Sequence, residues 1–241
     1  MSEVTITFRI PGAWDDPGEL VERLPDGYRI DGDRLQLPDG GELDFFPMVP
    51  DSQFPGIFRS SCRQPATASE LELLDRYSVN IGLTGSGGSM DAALVMMQAA
   101  AAFVRAGAAG VFIDNCALAH GGQAWIEMTD DESSDAISYA FVSVIASPRD
   151  VSTMGMHVLG YPDLLLESSD IEAAGDTIVE AVRSLCAAGR ELGPGHLLAF
   201  DTGASFQLFS APDAEFAAGS PLHNPYGRLK LVSTRDLAQG N

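Results

Sequence analysis

Apolar and polar positions alternate over residues 4–10, with β-branched Val4, Thr5, Ile6 and Thr7, and this predicts an opening strand. Asp16-Pro17-Gly18-Glu19 then reads as a helix start: Asp16 caps, Pro17 suits the first helical position and Glu19 can close a capping box. That helix runs to Leu24 and stops before Pro25. Residues 28–46 read as two or three short strands, with turns at Asp31-Gly32-Asp33 and Asp39-Gly40-Gly41. The proline-rich stretch 47–65 predicts an irregular connection, and Thr67 with Glu70 predicts a capped helix to Arg76. A strand over 77–83 leads into Gly85-Ser86-Gly87-Gly88-Ser89 and a helix from Met90 to Arg105. The polar residues of that helix, Asp91, Gln98 and Arg105, form one narrow stripe, so it must be covered on most sides. It is either the central helix of the molecule or half of a subunit interface, which makes a homodimer one expectation. Val111-Phe112-Ile113 closes a strand–helix–strand unit.

Beyond Asn115 the pattern weakens. A short helix at 124–128 and an acidic loop at 129–135 are expected, the loop separating an N-terminal half (1–128) from a C-terminal half (136–241) of one globular unit. Residues 139–146, 153–159 and 164–166 read as strands. Ser169 and Glu172 predict a capped helix over 171–188, with Ile171, Ala174, Ile178, Val182 and Leu185 on one face and Gly189 as its C-cap. Strands at 197–200, 206–210 and 229–233 close the chain, the last two separated by a loop at 211–226.

Charge narrows the partners. The 241 residues carry 14 basic and 34 acidic side chains, a net charge of −20, and Lys230 is the only lysine. Such a field repels phosphate backbones and anionic headgroups, so neither nucleic acid nor a membrane surface is expected as a partner. A basic protein is the natural complement. The three cysteines, Cys62, Cys116 and Cys186, are widely spaced and form no disulfide framework. No secretory signal opens the sequence, and the apolar run 92–104 is too short for a membrane span, so the cytoplasm is the expected compartment.

Chemistry has three places to live. Ser86, Gly87, Gly88 and Ser89 sit between a strand and a helix, where backbone N–H groups can hold a phosphate of a nucleotide. The Walker lysine and the Gly-x-Gly-x-x-Gly spacing are absent, and a tight turn with Ser89 as N-cap accounts for the same residues. Asp114, Cys116 and His120 follow a strand, and with His157 they could supply a nucleophile and base for a hydrolase-like enzyme; a buried thiol and a loop imidazole are the alternative. Cys116 and His120 give too few local ligands for a structural metal, so no metal or cofactor is expected. Asp130-Asp131-Glu132, near Glu127 and Asp135, lacks the EF-hand spacing and reads as a solvated turn.

Three segments resemble a bacterial family, domain of unknown function 4261. They are residues 77–115, residues 152–163 with their Thr-x-Gly and Gly-x-Pro-Asp pattern ending at Asp163, and the closing region around Asp201-Thr202-Gly203. The resemblance implies a bacterial cytoplasmic α+β protein and carries over no catalytic residue. The expected fold is α+β: a mixed or mainly antiparallel sheet with packed helices, for which two ferredoxin-like halves would suit the element order. The expected function is a non-catalytic binding protein with an acidic surface, the alternatives being the enzyme and the nucleotide binder above.

Overall fold

The computed structural model describes residues 3–168, 171–189, 193–200, 202–212 and 216–238. The first part runs β1 (Thr5–Gly12), α1 (Pro17–Arg23), β2 (Arg29–Asp31), β3 (Arg34–Gln36), β4 (Glu42–Met48), α2 (Phe54–Ser61), α3 (Ala68–Asp75), β5 (Val79–Ser86), α4 (Met90–Arg105), β6 (Gly110–Ile113) and β7 (Leu118–Gly121). Its strands form one sheet in the order β2-β3-β4-β5-β1-β6-β7. β1 organises this sheet: Ile6, Phe8 and Ile10 are wholly buried on one face, and the strand pairs antiparallel with β5 and β6. β5 and β6 are thus parallel to each other with β1 between them. The expected strand–helix–strand unit is a split one. The inner order β4-β5-β1-β6, with α1 and α4 as its connections, is that of a ferredoxin-like half.

The remainder runs α5 (Gly122–Asp131), α6 (Ser134–Phe141), β8 (Ser143–Ala146), β9 (Asp150–Met154), a 3-10 turn (Met156–Leu159), β10 (Asp163–Glu167), α7 (Ile171–Ala188), β11 (Leu197–Ala199), β12 (Ser205–Ala211), β13 (Arg228–Ser233) and α8 (Thr234–Ala238). The second sheet has the order β11-β12-β13-β10-β9-β8. Here the ferredoxin-like expectation fails. β10 and β13 are adjacent and parallel, and a single long helix, α7, packs against β8, β9 and β10. The predicted inner face of α7 is buried at Ala174, Ile178, Val182 and Leu185; its predicted cap, Ser169, lies outside the described residues, as does Asp201.

The structure makes α4 the central helix. Ala93, Met96, Met97 and every residue from Ala99 to Phe103 are buried, enclosed by the first sheet, α5, α6 and the 3-10 turn of the same chain. Trp125 on α5 donates from its indole to Met97 O at 3.1 Å, and Phe103 stacks on Phe45 at 5.9 Å. One apolar core extends from Ile6 in β1 to Leu231 in β13, and so joins both sheets. A smaller one, with Phe54, Phe58, Leu74 and Phe112, lies beneath α2 and α3 on the other face of the first sheet.

Several local expectations are corrected. Residues 47–65 contain α2, because Pro55 falls in the first helical turn where its missing N–H costs nothing. Residues 129–135 are mostly helical: α5 continues to Asp131, Glu132 turns with φ 55°, and Ser133 caps α6. α6 also takes Tyr139, Ala140 and Phe141 from the strand expected at 139–146. The strand expected at 153–159 ends at Met154, since Gly155 and Gly160, at φ 102° and 88°, bracket a 3-10 turn. β7 was not expected at all.

Candidate functional site

The chain leaves β6 at Ile113 and places three side chains in different surroundings. Asp114 pairs with Arg9 of β1 at 2.9 Å; burial pushes its carboxyl up while the guanidinium pulls it down. Asn115 turns inward and is buried. Its Oδ1 accepts from Thr7 N and its Nδ2 donates to Thr5 O, both at 2.9 Å, so its amide extends the hydrogen bonding of β6 along β1. The same Nδ2 lies 3.3 Å from Pro221 O and 3.3 Å from Nε2 of His157. Cys116 is fully buried; desolvation pushes its thiol up to about 12, and its carbonyl accepts from Ser143 Oγ at 2.7 Å. Shut away from solvent, this thiol packs as a small apolar group and has no access to a substrate.

His120, on β7, donates from Nε2 to Ala140 O at 3.0 Å and lies beside the rings of Trp125 and Tyr139. Burial drives its pKa down to about 4. His157 sits on the 3-10 turn, also buried, and is likewise pushed down to about 4, first by burial and then by the neighbouring His223. Its Nδ1 has no hydrogen-bond partner. Among the described residues, no hydrogen bond joins any two of Asp114, Cys116, His120 and His157, and no group of three or more His, Cys, Asp and Glu could hold a metal ion. Of the four, His157 alone lines the nearby cleft of about 230 Å³, together with Asn115, Thr5, Ser220, Pro221 and His223.

The glycine loop serves packing. Gly87 N donates to Val4 O at 2.8 Å and Gly88 N to Val158 O at 2.9 Å, so two of the N–H groups a phosphate would need are already engaged. Ser89 caps α4 by accepting from Ala92 N at 3.1 Å. A Cβ at Gly160 would approach Gly88 O to 2.5 Å, and one at Gly88 would approach the Tyr226 hydroxyl to 2.9 Å. Absent side chains let three segments meet here. The acidic cluster of α5 and α6 is tied to its neighbours: Asp130 to Arg105 at 2.6 Å, Glu132 to Gln98 at 3.0 Å, and Asp135 loosely to Arg183 at 3.8 Å.

A second polar node escapes the sequence reading of chemistry. Asp163 is buried at the head of β10; its Oδ1 accepts from Thr153 Oγ1 at 3.1 Å and Met156 N at 3.3 Å, and its Oδ2 from Asn224 Nδ2 at 2.9 Å. Burial raises its pKa to about 6 against the pull of these donors. Asn224 also donates to Tyr161 O at 3.0 Å. The signal was a carboxylate heading the apolar run Asp163-Leu164-Leu165-Leu166. Asn115 and Asn224 thus pin the loop before β13 to the ends of both sheets.

Compared with protein-family models, curated proteins and solved structures, the chain matches none of them. All three cysteines are free, and among the described residues no helix is long and apolar enough to cross a membrane.

Proposed function

We propose that this chain is a non-catalytic binding protein of the bacterial cytoplasm whose acidic surface takes a basic protein partner. One observation carries the reading: of the groups able to do chemistry all but His157 are consumed by the fold, and His157, in its cleft, is joined by hydrogen bond to none of the other three. The Cys116 thiol is buried and protonated, the His120 imidazole holds Ala140 O, Asp114 holds Arg9, and Ser89 caps a helix. A nucleophile and base must come within hydrogen-bond reach. What remains available to a partner is a surface dominated by carboxylate, on a chain of net charge −20. Opposite fields accelerate encounter and set orientation. The free cysteines suit a reducing compartment.

The resemblance to domain of unknown function 4261 belongs to the same reading. The segment that carries it best, 152–163, supplies Thr153, Met156 and Asp163 to a buried polar node, a structural duty.

The test is affinity capture with the full chain at low and then moderate ionic strength. The expected partner is a basic protein whose affinity falls steeply as salt rises, because exposed charges are screened. Recovery of no specific partner at either ionic strength, or of one indifferent to salt, rejects the reading.

A further inference from the structure

A ferredoxin-like sheet needs two helices to cover one face. Here they are unequal: α4 has 16 residues and α1 only 7. At 1.5 Å per residue that is about 24 Å of cover against about 10 Å. The face beside α1 is left as a recess of about 320 Å³. Phe45 and Ile81 of the sheet line it together with Trp14 and Leu20, all four buried in the core.

The recess is built rather than merely left over. The indole of Trp14 lies flat on Gly12, where a Cβ would come within 2.1 Å of the ring, and its Nε1 donates to Ala106 O at 2.8 Å. Trp14 is therefore fixed between the end of β1 and the end of α4. At the mouth, Val21 is 51% exposed beside Asp15 and Asp16. The Asp16 carboxylate caps α1, accepting from Glu19 N at 3.1 Å, while that of Asp15 forms no ion pair among the described residues. The nearest cation on α1, Arg23, is already ion-paired with Glu19, and no arginine or lysine lines the recess. Apolar below and anionic at its lip, the recess meets the description of a ligand pocket with a few polar groups that fix orientation.

We infer that this recess binds a small organic amine: an apolar body seated against Trp14, Phe45 and Ile81, with its ammonium held at the lip by Asp15 and Asp16. The net charge of −20 favours a cation here and disfavours an anion of the same shape. The inference is independent of the protein partner proposed above.

The probes are hexylamine, hexan-1-ol and hexanoate, titrated into the full chain near neutral pH while the indole N–H resonances are followed. The chain has two tryptophans, and Trp125 is enclosed by Phe8 and Phe141, so its signal is an internal reference. A Trp14→Phe variant assigns the two. Hexylamine is expected to move the Trp14 signal saturably and leave that of Trp125 in place. The alcohol should bind about two- to fivefold more weakly, as loss of an exposed charge contact implies, and hexanoate more weakly still. In Asp15→Asn, an exposed and structurally mild change, the amine should lose most of that advantage while the alcohol is unaffected. Equal affinity for all three probes, an amine response at both indoles or at neither, or an undiminished advantage in Asp15→Asn would each overturn the inference.

Discussion

Gly155 and Gly160 show how much of this molecule is decided by single atoms. Gly155 has φ 102°, and a Cβ there would lie 2.2 Å from Phe141 O and 2.7 Å from the Cβ of Cys116. Both the backbone region and the contact oppose any side chain. Gly155→Ala should therefore cost about 3 kcal/mol or more, seen as a lower urea midpoint with an unchanged denaturant slope. These glycines were visible in the sequence, but their purpose was not. Met154-Gly155-Met156-His157 reads as an apolar, alternating run, and only the neighbours brought in from α6 and the glycine loop show why it turns. Site residues followed the same rule. Ser89 as a cap was legible because capping is local. The pairing of Asn115 with His157, 42 positions away, was not, because no short-range pattern encodes it.

At the scale of elements, legibility tracked how far each was decided by its own residues. α4 and α7 have the limits the apolar periodicity gives, and α3 carries the full capping box of Thr67 and Glu70. α1 departs slightly, since Glu19 accepts from Asp15 N rather than from the capping residue. α6 and β7 were missed because both are short and apolar enough to fit either period; their identity comes from packing against α5 and β6. α4 also corrects the argument for a homodimer that rested on it, because its apolar sides are covered within one chain. Ala99, Ala100, Ala101 and Ala102 are all 0% exposed, so the helix has no slack in any direction. Ala101→Leu should lose about 1–3 kcal/mol by overpacking. A Leu accommodated at no cost in thermal or chemical unfolding would mean the helix is looser than its burial indicates.

For the whole molecule, buried titratable groups set the response to acid. His120 and His157 are held near 4 in the folded chain and return to about 6.5 when unfolded. The unfolded chain binds the extra protons, so their contribution is complete above about pH 6.5 and is lost as pH falls toward 4. Asp163 works the other way. Its carboxyl is raised to about 6, so its contribution is present below about pH 4 and lost as pH rises to 6. At pH 4 the folded histidines are themselves half protonated, so the pair loses less than its full share, but it outweighs the single aspartate and leaves a net loss on the order of 3 kcal/mol between pH 7 and pH 4. Urea unfolding at the two pH values measures it, and His120→Gln should flatten the dependence by roughly half of the histidine share. A stability that rises on acidification would contradict the burial of these rings.

The place of β13 has a consequence for synthesis. It lies between β12 and β10, pairing with both, yet it leaves the ribosome after either of them. Until residues 228–233 emerge, the hairpin of β11 and β12 and the meander of β8 to β10 are separate pieces, each with an open edge. The second sheet must therefore wait for β13 before it can close, and during that interval those edges are what a chaperone would have to shield.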